Sequence, residues 1–288
     1  VVEEGWRADG WYEIDGSEDL ETNNDTDWYY FKNGEAKKAS YSDKSGLTGP
    51  EVTDDGDTVY RARIKVEGKY FCFNEKGQMQ DGLQYINADS GFYYFDENGY
   101  QKTGRVTSVE CDDDDYTFYF NTKNGKNGQG YKGLKDDYLY FNGKKLTADD
   151  ENRLYFYNDK IYLVNSKGKI QKGKKGYNIE NSSISEDKVS VEFNSDSSVK
   201  SITLDEGKGT SYTAAQLLAM SLNTDSTTSD YVDEDGRYDD AYVTIPFIQL
   251  YDNNVYTYRF INKKDGSFDA SEMWYDCLLY TSPSPRDS

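Results

Sequence analysis

A chain without histidine can assemble neither a Ser–His nor a Cys–His nucleophile, nor a histidine-ligated metal centre. Its chemistry must come from carboxylates or from aromatic rings. A glycosidase needs two carboxyl groups facing each other at about 5 to 10 Å. The acids here instead cluster between aromatic runs, where Asp is expected as a turn former. The acidic stretch DEDGRYDD (233–240) fails as a calcium loop, because placing Gly236 at loop position six puts Tyr231 at position one and Tyr242 at position twelve. No catalytic residue, metal or cofactor is therefore assigned. The rings remain, with 28 tyrosines, 13 phenylalanines and four tryptophans. Trp28, Tyr30, Tyr70, Phe92, Tyr94, Tyr119, Tyr138 and Tyr140 are the candidate binding residues, since two or three such rings lining a groove hold a quaternary ammonium or stack on a sugar face.

Positioning those rings falls to a recurring hairpin. In FYYFDENGYQKTG (92–104) a run of β-favouring aromatics meets a turn closed by Asn98-Gly99, and a short strand returns. The same grammar recurs as WYYFKNG, YFCFNEKG, TFYFNTKNG, YLYFNG and IYLVNSKG, with turn glycines at Gly34, Gly77, Gly99, Gly125, Gly143 and Gly168. The unit is on the order of 20 residues. A lone two-stranded ribbon is marginal in water, so the copies must stack on a shared core. Strand alternation places the first column (Trp28, Tyr70, Phe92, Thr117, Tyr138, Ile161) on the same face as the third (Tyr30, Cys72, Tyr94, Tyr119, Tyr140, Leu163). The fourth column (Phe31, Phe73, Phe95, Phe120, Phe141, Val164) is nearly all Phe and is expected to form the shared core. The fold expected is all-β, a β-hairpin solenoid followed by a small α+β C-terminal region.

The remaining sequence sets boundaries. Residues 1–27 read as a partial repeat around Trp6 and Trp11 with a polar connector, and 28–177 as the hairpin array. Within the array, 35–66 reads as an exposed loop with an eroded copy or insertion, and 112–115 as an acidic loop. From about 178 the pattern changes: 189–193 and 199–204 alternate as strands, and Thr213 to Gln216 resembles a capping box opening a helix. Segments 241–250 and 255–261 form an expected hairpin, with Pro246 at an edge or a bulge. Residues 277–287, CLLYTSPSPRD, match a translation of a common transposon-based sequencing adapter, so 277–288 are expected to be read-through. The opening at Val1, without Met or a signal peptide, is read as the start of a fragment. Cys72 and Cys111 make no disulfide framework, and Cys72 is expected as buried filler. A net charge of −20, from 53 acidic and 33 basic residues, argues against nucleic acid as partner, and no apolar run is long enough for a transmembrane helix.

Trp28-Tyr29-Tyr30-Phe31 with Gly34, and Phe92 to Phe95 with Gly99 and Thr103-Gly104, resemble the cell-wall-binding (choline-binding) repeat family over residues 5–177. Leu83 and Arg105 stand where that family carries the tryptophan of its Gly-Trp pair. The stretch GLQYINADSGFYYF (82–95) is also similar to the short repeats of glucan-binding proteins and large clostridial toxins. The resemblance implies a left-handed solenoid, secretion to a Gram-positive cell surface, and contact with bacterial cell-wall polymers through choline-substituted teichoic acid or glycan. The function expected is that of a non-catalytic wall-binding module, with a toxin or adhesin glycan-binding array and a structural stalk as alternatives.

Overall fold

The computed structural model describes residues 7–16, 26–40, 47–52, 58–87, 90–111, 114–123, 126–173, 175–180, 188–221, 242–251, 254–262 and 268–273. Trp6, Gly125, the acidic stretch 233–240 and the segment 277–288 lie outside them. Among the described residues the fold is all-β, built from several small sheets that are antiparallel but for one parallel join, with no closed barrel. Two compact units are present: one comprises the chain up to Tyr131 together with Asn142–Lys144, the other Lys132–Phe141 and the chain from Lys145 to Leu279.

In the first unit Gly10–Asp15, Thr26–Lys32 and Glu35–Ala36 form one sheet. Leu47–Val52, Thr58–Val66, Lys69–Asn74 and Met79–Gln80 form a second, and Gly82–Tyr85 pairs with Phe92–Phe95. Gly104–Cys111 pairs with Asp114–Phe120. Each aromatic run thus pairs on both sides: with the short return segment after its turn glycine, as expected (Phe31 with Ala36, Cys72 with Gln80, Phe95 with Gln101), and with a preceding strand that the sequence pattern did not mark. This corrects the loop expected at 35–66: Ala62, Ile64 and Val66 are buried at every second position of a nine-residue strand. That strand turns at Glu67-Gly68, both at positive φ, into Lys69–Asn74. The loop expected at 112–115 is shortened too, because Asp114 and Asp115 already belong to a strand.

Two turn chemistries serve the hairpins. Asn33-Gly34 and Asn142-Gly143 place both central residues at positive φ, the requirement of a two-residue hairpin turn matched to strand twist. At Asn98-Gly99 only the glycine has positive φ, and the turn is headed by Asp96, whose Oδ1 accepts the amides of Asn98 (3.1 Å) and Tyr100 (2.9 Å). Asn74 does the same for Lys76 and Gln78, and Asn165 for Lys167 and Lys169. In the TFYF hairpin the positive-φ glycine is Gly128, whose amide donates to the Asn121 carbonyl.

Packing between hairpins follows a rule. Tyr30, in the third column, clusters with Phe71 and Phe73 of the next hairpin, and Cys72 with Tyr93 and Phe95 of the one after. Tyr94 in turn stacks on Phe120, ring centroids 6.2 Å apart. The third column of one hairpin therefore covers the fourth column of the next, together with the ring two residues before it, Phe71 or Tyr93. Backbone hydrogen bonds repeat with it: the amide two residues beyond a turn glycine reaches the preceding aromatic strand, Gln101 to the Tyr70 carbonyl (3.1 Å) and Gly130 to that of Phe92 (2.8 Å).

The second unit begins with Gly133–Lys135 paired to Tyr138–Phe141 and Asn152–Tyr157 paired to Lys160–Asn165. Here Leu139 and Phe141 pack with Tyr162 and Val164. The approach to the turn is one residue shorter than in WYYFKNG, and a one-residue slip exchanges the faces of a strand. Leu154, Phe156, Ile161 and Leu163 share a cluster with Tyr177, Ile179, Val189 and Val191, so apolar packing runs continuously across residue 177. Val189–Phe193 and Val199–Thr203 are strands as expected. Helix Ala214–Ser221 opens on a reciprocal capping box, with the Gln216 amide donating to Thr213 Oγ1 (3.2 Å) and the Thr213 amide to Gln216 Oε1 (2.9 Å). Tyr242–Tyr251 and Asn254–Asn262 form the expected hairpin, and its register shifts between Thr244 and Phe247, around Pro246. This hairpin joins Asn152–Tyr157 in parallel, from Leu154 opposite Phe247 to Tyr157 opposite Leu250.

Candidate aromatic binding surface

The packing rule decides which rings reach solvent. Trp28 stands first in its strand run, opposite Glu13, and is 43 % exposed. Tyr70, Tyr94, Tyr119 and Tyr138 are half-buried. Tyr119 meets Tyr131 edge-on at 5.6 Å, and Tyr138 meets Tyr140 at 6.4 Å. The other three candidate residues sit inside. Phe92 is 1 % exposed, packed on Tyr85 at 5.1 Å; Tyr30 lies against Trp11 at 5.1 Å; and Tyr140 is buried. Strand alternation alone assigns one face to grooves, whereas an inner hairpin is covered on both faces. Tyr100, 39 % exposed on the return strand after Gly99, is a surface ring that the strand pattern did not single out.

Several rings already carry a cation from the chain itself. The Arg63 guanidinium lies 3.5 Å from the centroid of Tyr70 and 4.9 Å from that of Tyr93. Lys69 Nζ sits 3.8 Å over Tyr100 and Lys144 Nζ 3.6 Å over Tyr116. In the second unit Lys169 and Lys145 approach Tyr138 at 4.7 and 5.4 Å. The signal for Arg63 was present in Arg61-Ala-Arg63-Ile-Lys65-Val66, which alternates basic and apolar residues along one strand. Burial lowers the Arg63 pKa from its usual value and raises that of the Tyr93 hydroxyl. The Tyr94 hydroxyl is raised as well, first by burial and then by Asp81 and Asp96.

No protein-family model matches the chain, and no curated protein matches it. Among solved structures it is similar to choline binding protein F from Streptococcus pneumoniae, at 21 % identity over 67 % of this chain and 57 % of that one, with a TM-score of 0.30. The same values hold for that protein in the presence of a peptidoglycan analogue, a tetrasaccharide-pentapeptide. An alternansucrase in complex with isomaltononaose matches at 14 % identity over 90 % of this chain and 18 % of its own, with a TM-score of 0.25. The chain spans little more than half of the pneumococcal protein's length.

Chemically, the surface offers ring faces and phenol hydroxyls. A half-buried tyrosine stacks its ring on an apolar sugar face while its hydroxyl remains in water. Among the described residues no group of His, Cys, Asp or Glu is arranged to hold a metal ion. No helix there is long and apolar enough to cross a membrane.

Proposed function

We propose that this chain is a non-catalytic binding module for bacterial surface glycopolymers, acting from a secreted protein at the cell wall. The supporting observation is the recurrence of a surface-reaching ring on separate hairpins: Trp28, Tyr94 and Tyr119 in the first unit and Tyr138 in the second. Residues 28–177 are the wall-binding hairpins in this reading, stacked as a solenoid within the first unit, with 178–276 an appended region. The repeated hydrogen-bond step within the first unit supports that stacking. Each ring is a weak site, and affinity accumulates because a polymer bound at one ring is held at high effective concentration near the next. A choline-bearing polymer is the second reading, favoured by Trp28, whose exposed indole is the ring type that attracts an ammonium most strongly.

The test is retention of the full chain on purified Gram-positive cell walls, followed by elution with glucan oligosaccharides or with choline. Release by oligosaccharide is expected, and Trp28→Ala and Tyr94→Ala should each weaken retention about 2- to 10-fold, the worth of one aromatic contact. Release by choline alone selects the second reading. A folded chain that passes every wall preparation without retention overturns both.

A further inference from the structure

Arg63 is held from three successive hairpins of the first unit. Its own strand pairs with the strand of Tyr70, which lies under the guanidinium. Tyr93 and Gln101 come from the next hairpin, Gln101 Oε1 accepting from Arg63 Nε. The carbonyl of Asn127, from the hairpin after that, accepts from Nη2 at 3.1 Å. Gln101 is fixed in turn, because its amide is the one that donates to the Tyr70 carbonyl. Two phenol rings, one from each of two adjacent hairpins, thus converge on a single positive centre.

A cation within about 6 Å of two ring centroids is the arrangement in which aromatic side chains bind a free quaternary ammonium. We propose that Arg63 is a tethered cation that fills the Tyr70–Tyr93 ring pair and closes it to ammonium ligands, so that removing the guanidinium exposes a latent quaternary-ammonium site. The tether makes the competition unequal, since a covalently attached cation stays at high local concentration while free choline must reach it from solution. The guanidinium also has hydrogen bonds to Gln101 and Asn127 that a trimethylammonium group, lacking N–H donors, cannot replace. Tyr70 is in this respect unlike Trp28, which carries its ring into solvent.

The inference concerns the surface of the proposed function and rests on that reading for its biological meaning. Its test reads ammonium binding directly, so either can fail alone. Choline chloride is titrated into the full chain at constant ionic strength, following tyrosine ring resonances, with Tyr70 and Tyr93 assigned through Tyr70→Phe and Tyr93→Phe. In the unsubstituted chain these two rings should not respond. In Arg63→Ala they should respond, at choline concentrations at least about tenfold below the highest at which the unsubstituted chain stays silent, and Arg63→Ala combined with Tyr70→Ala should lose the response. Arg63→Gln, which keeps a hydrogen-bonding side chain beside Gln101 and Asn127, gives the same reading should the alanine variant not fold. Choline shifts of both rings in the unsubstituted chain, or a folded Arg63 variant whose rings stay silent, overturn the proposal.

Discussion

Asp96 shows how much one side chain does in a turn of this kind. Its carboxylate accepts two turn amides and an ion pair from Lys102 at 2.8 Å. Burial acts to raise its pKa, but the Lys102 ammonium and the Tyr100 and Asn98 amides outweigh it, and the carboxyl sits below its ordinary value. A depressed folded-state pKa means stability fully present above the ordinary Asp range of about 4 and lost as pH falls through the folded value. Asp96→Asn should keep the turn, because Asn74 and Asn165 fill the same role, while removing this contribution to the acid limb of a stability–pH profile. Asp96→Ala should cost about 1 kcal/mol or more at neutral pH, read by urea unfolding, since the turn amides lose their acceptor. A buried pair in the second unit is more demanding. Arg153 Nε donates to Glu180 Oε1, and Glu180 Oε2 accepts the amides of Asp149 (2.7 Å) and Asp150 (3.1 Å). Glu180→Ala should cost about 1–3 kcal/mol, because two backbone amides lose their acceptor and Arg153 loses one of its two carboxylate partners, keeping Asp149 at 2.6 Å, and the loss should appear in hydrogen exchange of residues 152–165.

At the scale of the hairpin, the sensitive position is Gly130 rather than a turn glycine. A Cβ there would overlap the Asn142 carbonyl oxygen and lie 2.9 Å from the Gly143 amide nitrogen, both backbone atoms that cannot step aside. The same residue makes the hydrogen bond to Phe92. Gly130→Ala is expected to destabilise the first unit by about 1–3 kcal/mol, measured by thermal or urea unfolding. The sequence carried some of these elements openly. The capping box at Thr213, the strands near 190 and 200 and the bulge around Pro246 are written in local chemistry, and the nearly all-Phe fourth column is buried from Phe73 onward. What it concealed depends on neighbours. The strand Thr58–Val66 hides its period of two among Arg and Lys residues beside an Asp- and Gly-rich stretch. Likewise, Phe92 and Tyr30 read as groove residues until Tyr85, on the strand paired with Phe92, and Phe71 and Phe73 of the hairpin after Tyr30 supply the cover over them. Of the eight candidate rings, those left at the surface are the ones that no following hairpin covers fully.

For the molecule as a whole, the charge of −20 sets the conditions under which any wall binding can occur. Wall polymers that are themselves anionic repel such a chain over the Debye length, about 30 Å at 0.01 M salt and about 8 Å at 0.15 M. Retention through ring contacts should therefore hold or rise as salt increases from 0.01 to about 0.15 M, whereas charge-driven retention would fall, and a pull-down across that range separates the two. The parallel join between Asn152–Tyr157 and Tyr242–Tyr251 bears on how the second unit is made. Leu154 and its partner Phe247 are 93 residues apart, so at roughly 5–20 residues per second the ribosome needs about 5–20 s to deliver the second after the first. Through that interval the outer edge of a newly formed hairpin, with its row of unpaired amides and carbonyls, is open to the same edge on a neighbouring nascent chain. Docking of the late hairpin then occupies that edge itself.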